Sequence, residues 1–399
     1  MRKIFYWITA LLPGLMIPII PGLIEAQTYQ MQDDFFATQQ CVGADEVLLE
    51  YSVNDSSALI YANTGDSILL ACQSLNSLFW MSHKSFRRTM KSADRNGSTL
   101  AGQILYLYLI KPVQSLLAGK RRLIIKPDDQ LSDLPFEALI RPDEDCTIQG
   151  KTPIRYLVQD YEVIYRCNQV FGQEAGMEKT ESNHVFHDED QFAFLGFSPV
   201  FCNHPGLNEL PDSRYEIAEI GSLFRQRGLT SWLFTEQYSV KEYFKSLARR
   251  GKIIHLSTHY IAETADHGQG GFLFWGYDPA GIHGKQNEEV LTTQEIAGLQ
   301  LQADLIVLNA CASGIVKLKS GGRRNSLPAI FLEAGARNIL STLWNVTDRL
   351  AGEFMVNFYR LWLSGKTYSQ ALREVKLQMI SSPETALPTI WAPYVLTAK

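Results

Sequence analysis

The second half of the chain alternates between short apolar segments of strand length and longer segments with helical periodicity. Four of the apolar segments occupy residues 192–197, 252–256, 304–308 and 338–343. Strands that are apolar along their whole length are typical of a parallel sheet, because helices then cover both of its faces. The sequence therefore predicts an α/β fold built on a mostly parallel sheet.

Short polar motifs mark where the intervening helices begin. In a capping box, a Ser or Thr and a Glu or Gln three residues later each bind the other's exposed backbone N–H group. The sequence contains four candidate boxes: Ser213 with Glu216, Ser239 with Glu242, Thr292 with Glu295, and Thr367 with Gln370. Each box predicts a helix that starts directly after its first residue.

The first half of the chain predicts a mixed arrangement of helices and strands. Residues 46–51 and 58–62 have the pattern of two strands joined by a polar turn, and residues 123–125 that of a buried strand. Apolar residues recur at helical spacing over residues 100–117. The polar segment 174–190 has no hydrophobic period, so we interpret it as a linker between two halves. A chain of 399 residues, 46% of them hydrophobic, is long enough for both halves to bury a core.

The amino terminus differs from the rest of the chain. Arg2 and Lys3 precede an apolar run over residues 4–24, and Ala26 supplies a small residue for cleavage. This layout predicts an export signal at residues 1–26. The alternative is an uncleaved membrane anchor, since about 20 apolar residues span a bilayer. The protein is accordingly expected to be periplasmic or extracellular, or to be anchored to a membrane through this run.

Charge and cysteine content argue against several classes of function. The formal net charge is -5, so the composition disfavours nucleic acid as a partner. The six cysteines form no Cys-x-x-Cys pair and have no metal-ligand spacing with histidine. We therefore expect no metal, no other cofactor and no disulfide scaffold.

Two reactive side chains follow apolar strands in the second half. His259 lies at the carboxyl end of the run 253–256, and Cys311 follows the run 305–308. Open α/β sheets bind ligands beyond the carboxyl ends of their strands. A thiolate is a good nucleophile, and an imidazole beside it can take the thiol proton and later deliver one to a leaving amine. The pair therefore predicts nucleophilic catalysis at the edge of the sheet.

Each of these two residues also has a purely structural interpretation. A cysteine after an apolar run is commonly a small core residue, and a strand histidine is commonly only hydrogen-bonded. The catalytic interpretation is favoured because roughly 50 residues separate the two, an interval that caspases also show. His255 shares a strand face with His259, but a metal pair has no third ligand nearby in the sequence. An acyl hydrolase that uses Ser313 is not expected, because the Gly-x-Ser-x-Gly motif is missing.

Ordered motifs along most of the chain resemble one known family. They occupy residues 47–51, 123–128, 134–139, 254–259, 309–314, 333–336, 342–348 and 390–394. The chain resembles CHAT domains, which are caspase-like modules related to caspases, separases and gingipains. The resemblance implies a caspase-like three-layer sandwich with a mostly parallel sheet at residues 191–399. A non-catalytic, caspase-like α/β half is expected before it, at residues 30–173.

The resemblance also implies roles for individual residues. His259 is expected to be the acid/base and Cys311 the nucleophile, while the backbone N–H groups of Tyr260 and Cys311 form the oxyanion hole. Many relatives have glycine at the position of Tyr260. A larger residue resists positive φ there and narrows the cleft, which puts activity in question.

The resemblance also implies that Asn309 and the segment from Trp344 to Asp348 wall the specificity pocket. Asp348 attracts a basic substrate side chain if it faces the cleft. Its alternative role is to cap the helix that follows it.

The function expected from these features is that of a cysteine endopeptidase, which cleaves protein or peptide substrates through an acyl-enzyme. The alternative is a catalytically silent module that keeps the fold and binds a partner, since a fold alone does not determine function. Relatives commonly carry upstream repeats that recruit or regulate. For this chain, regulation is expected to come from a separate protein partner, from the environment, or from neither.

Overall fold

The computed structural model of the protein describes residues 5–7, 42–92, 95–142, 154–167, 191–201, 207–261, 270–277, 288–310, 317–320 and 323–399. The chain forms two compact units, residues 1–179 and 180–399. The predicted linker 174–190 and most of the predicted export signal lie outside the described residues. The domain boundaries and the export signal therefore stay predictions. Within the described ranges, no helix combines the length and the apolar character that a membrane crossing requires.

The first unit is built on a mixed sheet. Its strands are β1 (Phe5–Trp7), β2 (Glu46–Val53), β3 (Ser57–Asn63), β4 (Ile68–Ser74), β5 (Arg122–Lys126), β6 (Ile140–Arg141), β7 (Arg155–Tyr156) and β8 (Glu162–Arg166). Its helices are α1 (Ser77–Ser92), α2 (Arg95–Leu109) and α3 (Leu157–Asp160). The main sheet has the order β1-β4-β3-β2-β5-β8, and β6 pairs with β7. Strands β2, β5 and β8 run parallel, whereas β3 is antiparallel to β2 and β4.

Local sequence explains where several elements of this unit begin and end. Strands β2 and β3 form the predicted hairpin, and the Asn54 side chain accepts hydrogen bonds from the backbone N–H groups of Ser56 and Ser57 at its turn. The helix predicted for residues 100–117 is shorter than expected. It ends at Leu109, and a 3-10 helix follows over Lys111–Leu116. Pro112 explains the difference, because proline lacks the N–H group that an α-helix would need there.

The second unit contains the predicted parallel sheet. Its strands are β9 (Phe192–Ser198), β10 (Ser231–Thr235), β11 (Gly251–Ser257), β12 (Tyr260–Ile261), β13 (Gly271–Leu273), β14 (Val290–Thr292), β15 (Leu305–Asn309), β16 (Lys317–Ser320), β17 (Arg323–Ser326), β18 (Asn338–Thr342) and β19 (Tyr394–Ala398). Its helices are α4 (Pro211–Gln226), α5 (Lys241–Leu247), α6 (Thr293–Ala297), α7 (Leu327–Glu333), α8 (Asp348–Leu363), α9 (Tyr368–Ser381) and α10 (Pro388–Trp391).

The main sheet of this unit has the order β19-β18-β15-β11-β9-β10. Every neighbouring pair is parallel except β18 with β19. A small antiparallel sheet with the order β12-β13-β14 follows β11 along the chain. The predicted mostly parallel α/β fold is confirmed.

Aromatic residues on β9 show how helices cover both faces of this sheet. Phe194 packs against Phe224 of α4, with ring centroids 4.8 Å apart, and against Tyr359 of α8 at 5.7 Å. Phe197 instead packs against Phe244 of α5 at 5.4 Å. Successive strand side chains point to opposite faces, so residues three apart contact different layers. The fully apolar strands of the sequence are thus buried from both sides.

Two of the four predicted capping boxes are confirmed. Thr292 accepts a hydrogen bond from the backbone N–H group of Glu295 at 3.2 Å, and the Glu295 carboxylate accepts one from the backbone of Thr292 at 3.0 Å. The same reciprocal bonds join Thr367 and Gln370. These boxes start α6 and α9.

The other two boxes do not form. Helix α4 starts at Pro211, three residues earlier than predicted, because proline favours the first helical turn. Ser213 therefore lies inside the helix and donates its hydroxyl to Leu210 O at 2.6 Å. Helix α5 starts at Lys241, so Ser239 is not its cap either.

Candidate active site

The site predicted from the sequence lies where β11 and β15 end. These strands are parallel neighbours, and Ser257 at the end of β11 is the register partner of Asn309 at the end of β15. His259 follows two residues after Ser257, beyond the sheet edge. Cys311 follows two residues after Asn309 in the sequence but lies outside the described residues.

A backbone carbonyl orients the imidazole of His259. Its Nε2 lies 2.7 Å from the carbonyl oxygen of Asn208, in the segment before α4. A carbonyl only accepts, so Nε2 carries the hydrogen of this bond. In the neutral ring the lone pair then lies on Nδ1, which makes Nδ1 the basic nitrogen. Sequence reasoning missed Asn208, because a backbone carbonyl has no signature in the residue type.

A tight turn after β9 supplies the ring that packs on His259. The centroid of Phe201 lies 5.3 Å from that of the imidazole. Val200 and Phe201 have φ values of 62° and 60°, in the left-handed region that residues with a side chain rarely adopt. Such conformations cost about 1–3 kcal/mol each and tend to occur at functional sites. The turn is held by a hydrogen bond of 2.8 Å from the Leu210 N–H group to Val200 O.

Backbone pairing aligns the residues around His259. Thr258 Oγ1 donates to Leu273 O at 2.6 Å, and the Leu273 N–H group donates to His259 O at 3.0 Å. Tyr260 is the register partner of Phe272 on β13. Hydrogen-bonded and non-bonded pairs alternate in an antiparallel ladder, so the Tyr260 backbone N–H group is directed away from β13. Tyr260 lies in an extended strand, which needs no glycine, and its ring packs edge-on against Phe272 at 5.1 Å.

A small pocket of about 50 Å³ lies beside the imidazole. His259, Asn309, Ala310 and Asp348 all line it, so the structure brings most of the described site residues together. Trp344 is buried instead, and its indole N–H group donates to Thr389 O at 2.9 Å. Its side chain contributes to the packing of this unit.

Asp348 binds a neighbouring helix. It is the first residue of α8, and its Oδ2 accepts a hydrogen bond of 2.7 Å from the backbone N–H group of Asp212, in the first turn of α4. The carboxylate thus caps α4 rather than α8. Burial raises the pKa of Asp348 to about 6, and the negative charges of Glu216 and Asp212 add to this effect.

Replacing Asp348 with Asn tests this environment through the pH dependence of stability. A carboxyl group with a raised pKa binds a proton more tightly in the folded protein, so its stabilising contribution is complete below pH 3.8 and is lost as the pH rises through about 6. The difference in free energy of unfolding, wild type minus Asp348→Asn, should therefore fall over this window. Denaturant titrations at several pH values measure it, with Glu353→Gln as the control for a lost charge on α8. A difference that stays constant or rises contradicts the assignment.

The strongest feature that sequence reasoning missed is the buried carboxylate of Glu216, which lies against the ends of β11 and β15. Glu216, predicted to be part of a capping box, points into the unit and accepts hydrogen bonds from Ser257 and Asn309. The Nε2 atom of His255 lies 2.9 Å from Glu216 Oε1, although its N–H group is not well directed at that oxygen. The Nδ1 atom of His255 lies 3.2 Å from the Tyr359 hydroxyl. His255 therefore belongs to this buried network.

No group of three His, Cys, Asp or Glu side chains among the described residues is arranged to hold a metal ion.

Several known proteins are similar to this chain in sequence or in structure. Tetratricopeptide repeat protein 28 from Homo sapiens is 33% identical over 109 residues, which are 27% of this chain and 4% of that protein. A chain of the Saccharomyces cerevisiae separase–securin complex superposes with a TM-score of 0.52 at 9% identity, covering 95% of this chain and 31% of that one. At that identity the likeness shows the fold alone. A solved protease chain has a TM-score of 0.46 at 11% identity, covering 81% of this chain and 73% of that one.

This chain thus spans only a small part of the human protein and under a third of the yeast chain. The signature of the CHAT domain matches residues 99–399, which is well over half of the chain. With the mostly parallel α/β sheet and the separase-like superposition, this match shows that the chain belongs to the CHAT domain family.

Proposed function

We propose that this protein is a cysteine endopeptidase in which His259 is the acid/base and Cys311 the nucleophile. One observation carries the proposal: Ser257 and Asn309 are register partners at the ends of adjacent parallel strands. Each of the two reactive residues follows two positions after one of these partners. Consecutive Cα atoms are about 3.8 Å apart, so each reactive residue lies within about 8 Å of its register partner, measured between Cα atoms.

The orientation of the imidazole supports this chemistry. With Nε2 bound to the Asn208 carbonyl, Nδ1 takes the proton of the Cys311 thiol. The thiolate attacks the substrate carbonyl, and the resulting imidazolium delivers its proton to the amine as the C–N bond breaks. Water then attacks the acyl-enzyme, with His259 as the base, and releases the acid and the thiol. The carbonyl of Asn208 stabilises the imidazolium, as the third group of a catalytic triad does.

We also assign the oxyanion hole and the substrate pocket to the neighbouring groups. The backbone N–H group of Tyr260 is directed away from β13, which suits donation to a developing oxyanion together with the N–H group of Cys311. Asn309 and Asp348 line the pocket beside His259 and are proposed to contact the residue before the cleaved bond. Trp344 is proposed to support that wall from the core.

A protein partner is proposed as the regulator of this activity. The superposed yeast chain comes from a complex of separase with securin, so a chain with this fold was solved bound to a second protein.

Labelling of Cys311 tests the proposal. A peptide with a thiol-reactive electrophile in place of the cleaved bond should modify Cys311 in the full chain, because His259 raises the thiolate fraction. Cys72 is the reference within the same molecule, since its side chain is exposed while partial burial raises the pKa of its thiol, so it is accessible but not activated. Peptide mass spectrometry measures both sites, and Cys311→Ala should abolish the labelling. Labelling no faster than at Cys72 would support the catalytically silent binding module instead.

A further inference from the structure

One buried carboxylate contacts both strands that lead to the proposed dyad. The side chain of Glu216 on α4 has no solvent exposure. Its Oε2 accepts a hydrogen bond from Ser257 Oγ at 2.8 Å, and both carboxylate oxygens lie 3.0 Å from Asn309 Nδ2. Ser257 ends β11 and Asn309 ends β15. Glu216 therefore bridges the last register partners of the two strands.

We infer that Glu216 is a positioning residue: it holds the ends of β11 and β15 where His259 and Cys311 can react together. This inference rests on the proposed function, because it concerns the same dyad. Only Thr258 separates His259 from the end of β11, and only Ala310 separates Cys311 from the end of β15. A shift of either strand end is thus passed directly to a reacting group. A misplacement of about 1 Å can lower a rate about 100-fold.

An ionised carboxylate suits this place because it only accepts hydrogen bonds and offers about four lone-pair sites on two oxygens. The hydroxyl of Ser257 and the amide of Asn309 supply hydrogens from two different strands. Bonds to a charged acceptor are also shorter and stronger than bonds between neutral groups. One side chain on α4 can therefore tie the two strands to each other and to the helix.

Packing alone does not account for a carboxylate at this position. Removing a charge from water costs free energy that its contacts only partly return, and apolar side chains of similar volume commonly stabilise buried sites as well or better. Ile217 and Ile220 on the same helix are fully buried, and apolar side chains of this kind are what packing alone would favour there. The hydrogen bonds to the ends of β11 and β15 therefore explain why a carboxylate lies at this position.

The charged and titratable groups that act on this carboxylate come from several elements. His255 lies on β11, Asp348 and Tyr359 on α8, and Tyr394 on β19. A substitution that removes the charge of Glu216 changes its interaction with all four. A control variant must therefore leave them in place.

The rate at which iodoacetamide alkylates Cys311 in the full chain, measured across pH by peptide mass spectrometry, tests the inference. In the wild type, the apparent pKa of Cys311 should lie below the ordinary thiol value of about 8.5. Glu216→Gln keeps the size of the side chain but removes its charge and replaces one accepting oxygen with an NH2 group, a donor that would face the Nδ2 donor of Asn309. It should shift the profile towards that ordinary value and lower the rate at neutral pH by about tenfold or more. Ile220→Val, one turn along the same helix, should leave the profile unchanged.

The outcomes separate the inference from the proposed function. A Glu216→Gln profile that superposes on a perturbed wild-type profile overturns the inference and leaves the dyad intact. A wild-type profile like that of an ordinary thiol overturns the proposed function, and the inference with it. If Glu216→Gln does not fold, Ser257→Ala takes its place, because it removes one donor and should give a smaller shift in the same direction. An unchanged profile in Ser257→Ala then overturns the inference.

Discussion

Replacing His259 with Gln should lower the rate of peptide-bond cleavage by about 10²–10⁴-fold, the usual contribution of a general acid/base. Glutamine has a similar length but cannot take the thiol proton or return one to the leaving amine. The bond to the Asn208 carbonyl, 2.7 Å long in the wild type, can be kept by the amide N–H group. The loss is therefore expected in turnover rather than in folding. Hydrolysis of a fluorogenic peptide library measures it, with Cys311→Ala as the background.

The matched control for this experiment is His184→Gln in the predicted linker. It makes the same chemical change at a histidine to which we assign no role in catalysis, so its turnover should equal that of the wild type. A His259→Gln variant that cleaves as fast as this control contradicts the dyad. Loss of turnover together with loss of the unfolding transition instead shows a structural role for His259.

Replacing Arg122 with Ala should destabilise the first unit by about 3–5 kcal/mol, because it leaves two buried carboxylates without their opposite charge. The guanidinium on β5 lies 2.8 Å from Glu46 on β2 and 3.0 Å from Glu162 on β8. The exposed fraction of the three side chains is 16% for Arg122 and 9% for each glutamate. Solvent therefore compensates little for these charges in the wild type. One arginine thus bridges the starts of three adjacent parallel strands.

Hydrogen exchange of peptides from β2, β5 and β8 measures this loss in the first unit by itself. Lys126→Ala is the control, since its pair with Glu50 is about a quarter exposed and should contribute no more than about 1 kcal/mol. Adding Glu46→Gln and Glu162→Gln to Arg122→Ala should recover much of the loss, because no buried charge then remains. An Arg122→Ala variant no weaker than Lys126→Ala contradicts the explanation.

Much of the fold could be predicted because its signals are local. The apolar runs at 192–197, 252–256, 304–308 and 338–343 all form strands of one sheet, since only a strand covered on both faces buries every side chain. The Thr292 and Thr367 boxes formed because their partners lie three residues away. Local signals fail where a stronger one is adjacent: Pro211 starts α4 before Ser213 can cap it, and Pro112 ends an α-helical pattern.

The sequence by itself determined the elements, the mostly parallel sheet and the place of His259 at the end of a strand, because each follows from the spacing of nearby residues. Tertiary structure alone decided the partners of the site. Asn208 lies 51 residues from His259, Glu216 lies 93 residues from Asn309, and Asp212 lies 136 residues from Asp348. No spacing rule reaches across such distances. A carbonyl oxygen or a buried carboxylate acquires its role only when the packing of α4 against the sheet and α8 brings its donor within hydrogen-bond distance.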